Sequence, residues 1–323
     1  MHPELPVASF VCAILVLLPL PWHWRAGTVP TISISLWLFL CNFINGVNTI
    51  IWSGNVRVVA PVWCDIVTKI LLGANVALPA SIFCLCIHLE RISSVRQAET
   101  SLRQKRTRQI IDSIVCLPVP LVYMALHYIV QGHRFDIVED FGCRAAVYVS
   151  VPAVIIVWVP QLFFSVGSLI LSALAFRNFW ARRITFARHL QQSNSGLTAS
   201  RYFKLMAMSV VQMFWVVTIT SVSMAFSMKF GVKPYTSWDD VHYGFSKIGL
   251  FPTWVIPKYH VIMSHLLWWM CTPVSSILFV AFFAFGEDAV KEYRAVYNGI
   301  RKHIFRRPDS GTLLTYKSET KSK

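Results

Sequence analysis

Seven apolar runs of membrane-spanning length recur along this chain, at about Leu5–Pro21, Pro30–Trp52, Trp63–Leu89, Ile110–Val130, Ala146–Phe176, Lys204–Met228 and Tyr259–Phe285. A helix needs about 20 predominantly apolar residues to cross roughly 30 Å of hydrocarbon. The fifth run is longer than one crossing and is expected to tilt or extend into water. The remaining composition agrees: 55% of residues are hydrophobic and 14% charged, against about 25% charged in soluble domains. The first run follows only Met1, His2, Pro3 and Glu4. It lacks the positive n-region and small-residue cleavage site of a signal peptide, so it reads as a retained first span.

The net charge of +15 gains meaning from where the basic residues lie. With the N-terminus outside, 22 of the 30 Lys and Arg fall on inner segments and 7 on outer ones, with Lys69 inside a span. The positive-inside rule therefore sets the N-terminus outside and the C-terminus in the cytoplasm. No zinc-finger spacing, basic-region heptad or RNA-binding strand motif accompanies the charge, so nucleic acid is not the expected partner. We read an all-α membrane protein, a seven-transmembrane-helix bundle over residues 1–285. A cytoplasmic tail follows over residues 286–323. Within the tail, Val290, Tyr293, Ile300 and Ile304 recur at helical spacing and are bordered by Lys291, Arg294, Arg301 and Lys302. This predicts a basic amphipathic helix at about 287–305 suited to an anionic leaflet. The polar remainder is expected to be disordered.

Polar side chains inside the runs mark the bundle interior or its mouth. Asn42, Asn45 and Asn48 repeat every three residues beside Gly46, which places them on one helical face. Interhelical hydrogen bonding and the lining of a ligand site both fit them. Asp65 and Lys69 are four residues apart, so they are expected to pair near the outer end of the third span. The alternative is contact with a ligand or an outer loop. Of eight cysteines, only Cys64 and Cys143 fall on the oxidising side, and one bridge between them is expected.

Chemistry is mostly excluded. The last span carries no lysine for a retinal Schiff base, HExxH is absent, and neither a phosphate loop nor a nucleophile–base pair is visible. His260 and His265 are five residues apart, a poor ligand pair on a helix. We expect no enzyme, no metal and no cofactor. The rival class is a seven-span transporter of a small solute. Transporters of duplicated design carry matching broken spans in the two halves. Here Pro79, Pro118, Pro120, Pro152, Pro160 and Pro273 do not mirror each other.

Two surfaces remain. The longest outer loop, Lys229 to Lys258, carries Tyr235, Trp238, Tyr243, Phe245, Phe251 and Trp254, a set that fits an interfacial belt or a lid over a ligand. On the inner side Arg177, Arg182, Arg183 and Arg188 surround Phe176, Trp180 and Ile184, and Arg201 and Lys204 enter the sixth span. Topology-setting charge and a docking surface for a cytoplasmic partner both fit them.

Several longer motifs add a resemblance. "LLPLPWHW", "VNTIIW", "PVWCDIVTKILLGANVALPASIFCLCIHLERI", "EDFGC", "RYFKLMAMS" and "FFAFGEDAVKEY" occur in this order between about residues 5 and 297. Together they resemble the fungal lipopeptide mating-pheromone receptors, the a-factor receptor type of class D G-protein-coupled receptor. The resemblance implies a multi-pass plasma-membrane receptor that binds a farnesylated, C-terminally methylated peptide. It also implies signalling through a heterotrimeric G protein. Where the family commonly kinks the sixth span with proline, "VVQMFWVVTITSVSMAF" has none. Only four residues precede the first span, so a ligand is expected among the helices and outer loops. The candidate ligand contacts are Asp65, Lys69, Asn42, Asn45, Tyr235, Trp238, Trp254 and His265. The candidate G-protein contacts are Arg91, Arg182, Arg183, Arg188, Arg201 and Lys204.

Overall fold

The computed structural model describes residues 2–93, 102–181, 199–229 and 231–283. The chain divides into two compact units, Met1–Phe282 and Phe283–Lys323. The expected tail helix at 287–305 lies outside the described residues. The described chain is mostly helical, in the order α1 (Glu4–Leu17), α2 (Leu20–Ala26), α3 (Val29–Ile51), α4 (Pro61–Ser93), α5 (Leu102–Cys116) and α6 (Pro118–Leu126). After a stretch with two strands come α7 (Val151–Ala153), α8 (Val159–Ala181), α9 (Ala199–Met228), α10 (Trp238–Val241), α11 (Lys258–Trp269) and α12 (Ser275–Phe283).

Among the described residues, five helical stretches are long and apolar enough to cross a membrane: Val29–Ile51, Pro61–Ser93, Arg103–Val130, Val151–Ala181 and Met206–Met228. The two outermost runs of the sequence are subtler. The first is interrupted: α1 ends at Leu17, and Pro19 and Pro21 open the separate α2. Proline at a first helical turn is tolerated because the missing N–H has no helical partner there. The last run stays helical from Lys258 to Phe283 through a wide turn, Met270–Val274, that contains Pro273. A second wide turn, Val154–Trp158, lies just before Pro160 and joins α7 to α8. Such turns absorb the hydrogen bond a proline cannot make. By contrast, Pro79 sits inside an uninterrupted α4.

Small residues let the helices approach. A Cβ on Gly46 would lie 2.8 Å from the Phe10 ring, and one on Gly73 would lie 2.7 Å from the Met124 sulfur. Close backbone approach through small residues is the usual means of packing helices in lipid. The face predicted from Asn42, Asn45 and Asn48 bonds across the bundle. Asn42 donates to Ser276 Oγ at 2.7 Å, Asn45 donates to Thr272 Oγ1 at 3.3 Å, and Asn48 Oδ1 accepts from Trp63 Nε1 at 2.8 Å.

One end of the bundle is closed by a small sheet that the apolar periodicity did not foreshadow. β1 (Phe135–Val138) pairs antiparallel with β2 (Gly142–Arg144), and β3 (Ile248–Phe251) pairs parallel with β1, in the order β2-β1-β3. We call this end the cap. Gly142 turns the hairpin at φ 77°. A Cβ there would lie 2.6 Å from the Asn48 Cβ, so the position needs glycine for both conformation and space.

Candidate functional site

The cap is bound to the third span. Cys64, on the first turns of α4, is disulfide-bonded to Cys143 of β2, with Cα atoms 5.3 Å apart. The bridge expected from the sequence is therefore present, and its span lies within the usual range. Around it Ile44, Trp52, Val67, Phe135 and Ile137 form a buried apolar cluster. The loop after α3 is held as well: Asp140 N–H donates to the Trp52 carbonyl at 3.0 Å, and Asp140 Oδ1 accepts from Gly54 N–H at 2.9 Å. Glu139 Oε2 accepts from the backbone N–H and the hydroxyl of Thr253, at 2.6 and 2.8 Å.

The expected Asp65–Lys69 pair is corrected by the structure. Asp65 receives a two-pronged bond from Arg134, with Nε donating to Oδ1 at 2.9 Å and Nη2 to Oδ2. The Asp65 carboxylate raises the Arg134 guanidinium above its usual value, chiefly through these bonds. Lys69 turns instead to the end of the fourth span, donating to Gln131 Oε1 at 2.6 Å and to His127 Nδ1 at 2.9 Å. Gln131 Nε2 in turn donates to the Arg134 carbonyl at 2.6 Å. Helical spacing made the Asp65–Lys69 contact available. The planar guanidinium fork matches a carboxylate better than a single ammonium does.

Beneath the cap lies a cavity of about 340 Å³. Its walls come from α3, α4, the wide turn Val154–Trp158, α8, α9, the segment from α11 to α12, and β2 with the residues just after it, Ala145 and Val147. Apolar side chains dominate, among them Leu38, Leu72, Leu78, Trp158, Trp215 and Leu267. Asn45, Thr68, Asn75, Gln161, Thr220 and Thr272 supply hydrogen-bonding groups. Gln161 is the best anchored of these. Its amide N–H donates to the Val157 carbonyl at 2.8 Å and to Tyr123 Oη at 3.3 Å. Its Oε1 accepts from Thr220 Oγ1 at 3.3 Å. One side chain thus links α6, α8 and α9. The wide turn before Pro160 presents the Val157 carbonyl that both Gln161 and Tyr123 use. Pro79 has a similar effect on α4. It has no N–H for the Asn75 carbonyl four residues earlier, and both residues line the cavity.

Of the ligand contacts expected from the sequence, Asn45 lines this cavity. Asn42 is spent on Ser276 and the Leu38 carbonyl. Asp65 and Lys69 face the cap and the fourth span. Tyr235 donates to the Ile129 carbonyl at 3.3 Å. Trp238 stacks on His242 at 4.1 Å, and Trp254 is 85% exposed. His265 packs between the rings of His2 and Phe141, at 4.7 and 4.6 Å. These last four form the cap and its rim rather than the cavity. Gln161, Thr220, Thr68 and Asn75 were missed. The signal that found Asn45, a polar group within an apolar run, was present at each of them.

At the opposite end, His88 and the buried Asp112 are 2.9 Å apart and join α4 to α5. Ser172 Oγ lies 2.9 Å from Ser209 Oγ and 3.3 Å from Cys86 Sγ, joining α8, α9 and α4. Arg91 is on the last turn of α4. Arg182, Arg183 and Arg188 lie outside the described residues, as do the side chains of Arg201 and Lys204 on α9.

Comparison with known proteins agrees with this architecture. The sequence model of the family described as Pheromone A receptor matches residues 4–304. The chain is 49% identical over 322 residues to the Pheromone B beta 1 receptor of Schizophyllum commune, covering 99% of this chain and 59% of that protein. It is 32% identical to Pheromone receptor 1 of Mycosarcoma maydis, covering 91% of this chain and 83% of that one. It is 24% identical to the Pheromone a factor receptor of Saccharomyces cerevisiae over 90% of this chain and 61% of the other. The chain spans little more than half the length of the Schizophyllum relative. With the match running through every described span, the chain belongs to the pheromone A receptor family.

Proposed function

We propose that this chain is a G-protein-coupled receptor for a farnesylated peptide mating pheromone, set in the plasma membrane by seven helices with the N-terminus outside. The observation that carries the reading is the cavity under the disulfide-anchored cap. It is large enough for part of a ligand, since small-molecule sites occupy about 300–1,000 Å³. It is apolar with a few fixed hydrogen-bonding groups, the lining that a lipid-bearing peptide requires. The names of the relatives, which are pheromone receptors, support the ligand class. The orientation is supported by the excess of basic residues on the segments away from the cap and by the disulfide, which belongs on an oxidising side. For the first and seventh crossings the reading draws support from α1 with α2 and from the helical run Lys258 to Phe283, which are apolar helices at the two ends of the described chain.

The ligand's lipid arm partitions into the bilayer and enters from the side, while its peptide part sits beneath the cap. Binding alters how α9 packs, and the basic segments flanking α8 and α9 pass the change to a heterotrimeric G protein. Arg91, Arg182, Arg183, Arg188, Arg201 and Lys204 are the contacts we assign there, and the tail helix lies on the inner leaflet.

The test is expression in a fungal reporter strain lacking its own receptor, challenged with synthetic farnesylated peptides. Dose-dependent reporter output that requires both the farnesyl group and the Gα subunit is expected. Counterflow of a labelled solute without reporter output would instead identify a transporter and overturn the reading.

A further inference from the structure

The loop between α9 and α11 is tied to its neighbours along its length. Lys233 N–H donates to the Val149 carbonyl at 2.9 Å. Tyr148 Oη donates to the Pro234 carbonyl at 3.2 Å, and Tyr235 Oη to the Ile129 carbonyl at 3.3 Å. Farther on, Arg134 N–H donates to the Lys247 carbonyl at 3.2 Å, and β3 enters the cap. Amides and phenols hold their protons through the neutral range, so these ties are indifferent to mild acid.

The tie at His242 is of another kind. Nδ1 lies 2.9 Å from the Trp238 carbonyl and Nε2 lies 2.9 Å from the Tyr128 carbonyl. A carbonyl oxygen only accepts, and a neutral imidazole has a single N–H. Neutral His242 therefore makes one of these bonds and turns a lone pair toward the other oxygen, whereas the imidazolium makes both. Neither oxygen is free to turn away. The Trp238 carbonyl also accepts from His242 N–H at 3.0 Å, and the Tyr128 carbonyl from Gln131 N–H at 3.3 Å. Three rings surround the imidazole: Trp238 stacked at 4.1 Å and 21°, Tyr128 at 5.3 Å and Phe245 at 5.7 Å. Aromatic faces attract a cation.

The charged groups nearby leave this choice to the proton. On α10 itself, Asp239 and Asp240 favour positive charge, and Asp240 is turned to Thr236 Oγ1. The titratable group facing His242 from the end of the fourth span is Tyr128. The others on that segment are engaged elsewhere: His127 by Lys69, His133 by Asp136 and Arg134 by Asp65.

We propose that His242 is a proton-operated latch, which in its doubly protonated form pins the loop to the end of the fourth span and so slows the exchange of ligand with the cavity under the cap. The proposal rests on the receptor reading above and adds a regulation of that site. Because the latched form holds the extra proton, the latch tightens as pH falls and loosens as pH rises, across the range in which histidine changes charge.

Two measurements on the purified full chain test it, at about pH 5 and about pH 8. Amide hydrogen exchange over residues 238–247, corrected for the intrinsic effect of pH, should be about tenfold slower in acid, as a charge-assisted bond implies. Dissociation of a fluorescent farnesylated, C-terminally methylated peptide should slow by a similar factor. His242→Phe keeps a ring but no donor and should be fast at both values. His242→Arg keeps a charged donor throughout and should be slow at both. Equal corrected exchange of the wild type at the two values would overturn the latch, as would a His242→Phe variant that keeps the wild-type ratio. Acid-slowed amide exchange with unaltered peptide dissociation would overturn its control over the ligand. Silence of the wild type toward every farnesylated peptide in the reporter strain would overturn the receptor reading and the ligand clause with it, while acid-slowed exchange that His242→Phe abolishes would still uphold the latch.

Discussion

The helices α4 and α9 are of similar length and both apolar, yet they are held very differently. In the most apolar stretch of α4, 61% of residues are buried, against 22% in that of α9. α4 is fixed at the cap by the disulfide, by Asp65–Arg134 and by Lys69. At its other end it is fixed by His88–Asp112. Among the described residues, polar ties of α9 to α8 include Gln161–Thr220 beside the cavity and Ser172–Ser209 farther along. The contrast separates a post from a moving part. A helix with many buried neighbours has one low-energy position, while one held by a few neutral hydrogen bonds can exchange them at small cost. In the receptor reading, α4 is the reference against which ligand moves α9.

Four changes sharpen or break this contrast, in descending order of expected effect. Replacing Cys64 and Cys143 together with serine should remove about 2–5 kcal/mol of stability, seen as a large fall in detergent melting temperature and surface level. An unaltered melting temperature would mean that the cap does not brace the post. Next comes Gly142→Ala, which forces a side chain into a left-handed backbone and onto Asn48. A loss of about 1–3 kcal/mol is expected, again read as melting temperature. If this variant is as stable as the wild type, the hairpin yields more than its packing implies.

Changes on α9's side should act on signalling more than on stability. Gln161→Leu removes the tie among α6, α8 and α9. Interhelical hydrogen bonds in membranes contribute about 0.6–2 kcal/mol, so the half-maximal pheromone dose should shift about three- to thirtyfold at normal surface expression. A shift below that, with expression intact, would make Gln161 a bystander. Ser209→Ala is the mildest, worth about 0.6 kcal/mol. It should raise ligand-independent reporter output up to about threefold, because it loosens α9 away from the cavity. Unchanged basal output would show that this contact does not hold the resting state.

Much of this arrangement could be read before any coordinates. Run lengths located the helices, the two cysteines expected on the oxidising side located the bridge, and the triplet spacing of the asparagines located a face that bonds across the bundle. The illegible parts depend on competition between distant segments. Asp65 and Lys69 had a permitted contact, but Arg134, far along the chain, offered Asp65 a better one. The sheet joins strands of three or four residues from two different loops, too short for a period of two to stand out. The prolines signalled kinks without saying which would be absorbed: α4 carries Pro79 unbroken, whereas Pro160 and Pro273 accompany wide turns. The polar residues of the cavity were visible as interruptions of apolar runs, yet nothing in the sequence said that Gln161 and Thr220 face each other.

The parallel pairing of β1 with β3 also has a consequence for biosynthesis. Glu139 and its partner Thr253 are 114 residues apart, and the strand that completes the sheet emerges from the ribosome after α8 and α9. Cys64 and Cys143 are both available to the oxidising machinery much earlier. The bridge can therefore form over a half-built bundle, and the lid over the cavity is finished only as the final crossing is made. Chains that stall before Ile248 leave the edge of β1 that β3 would cover unpaired, an exposed strand edge open to pairing with other chains.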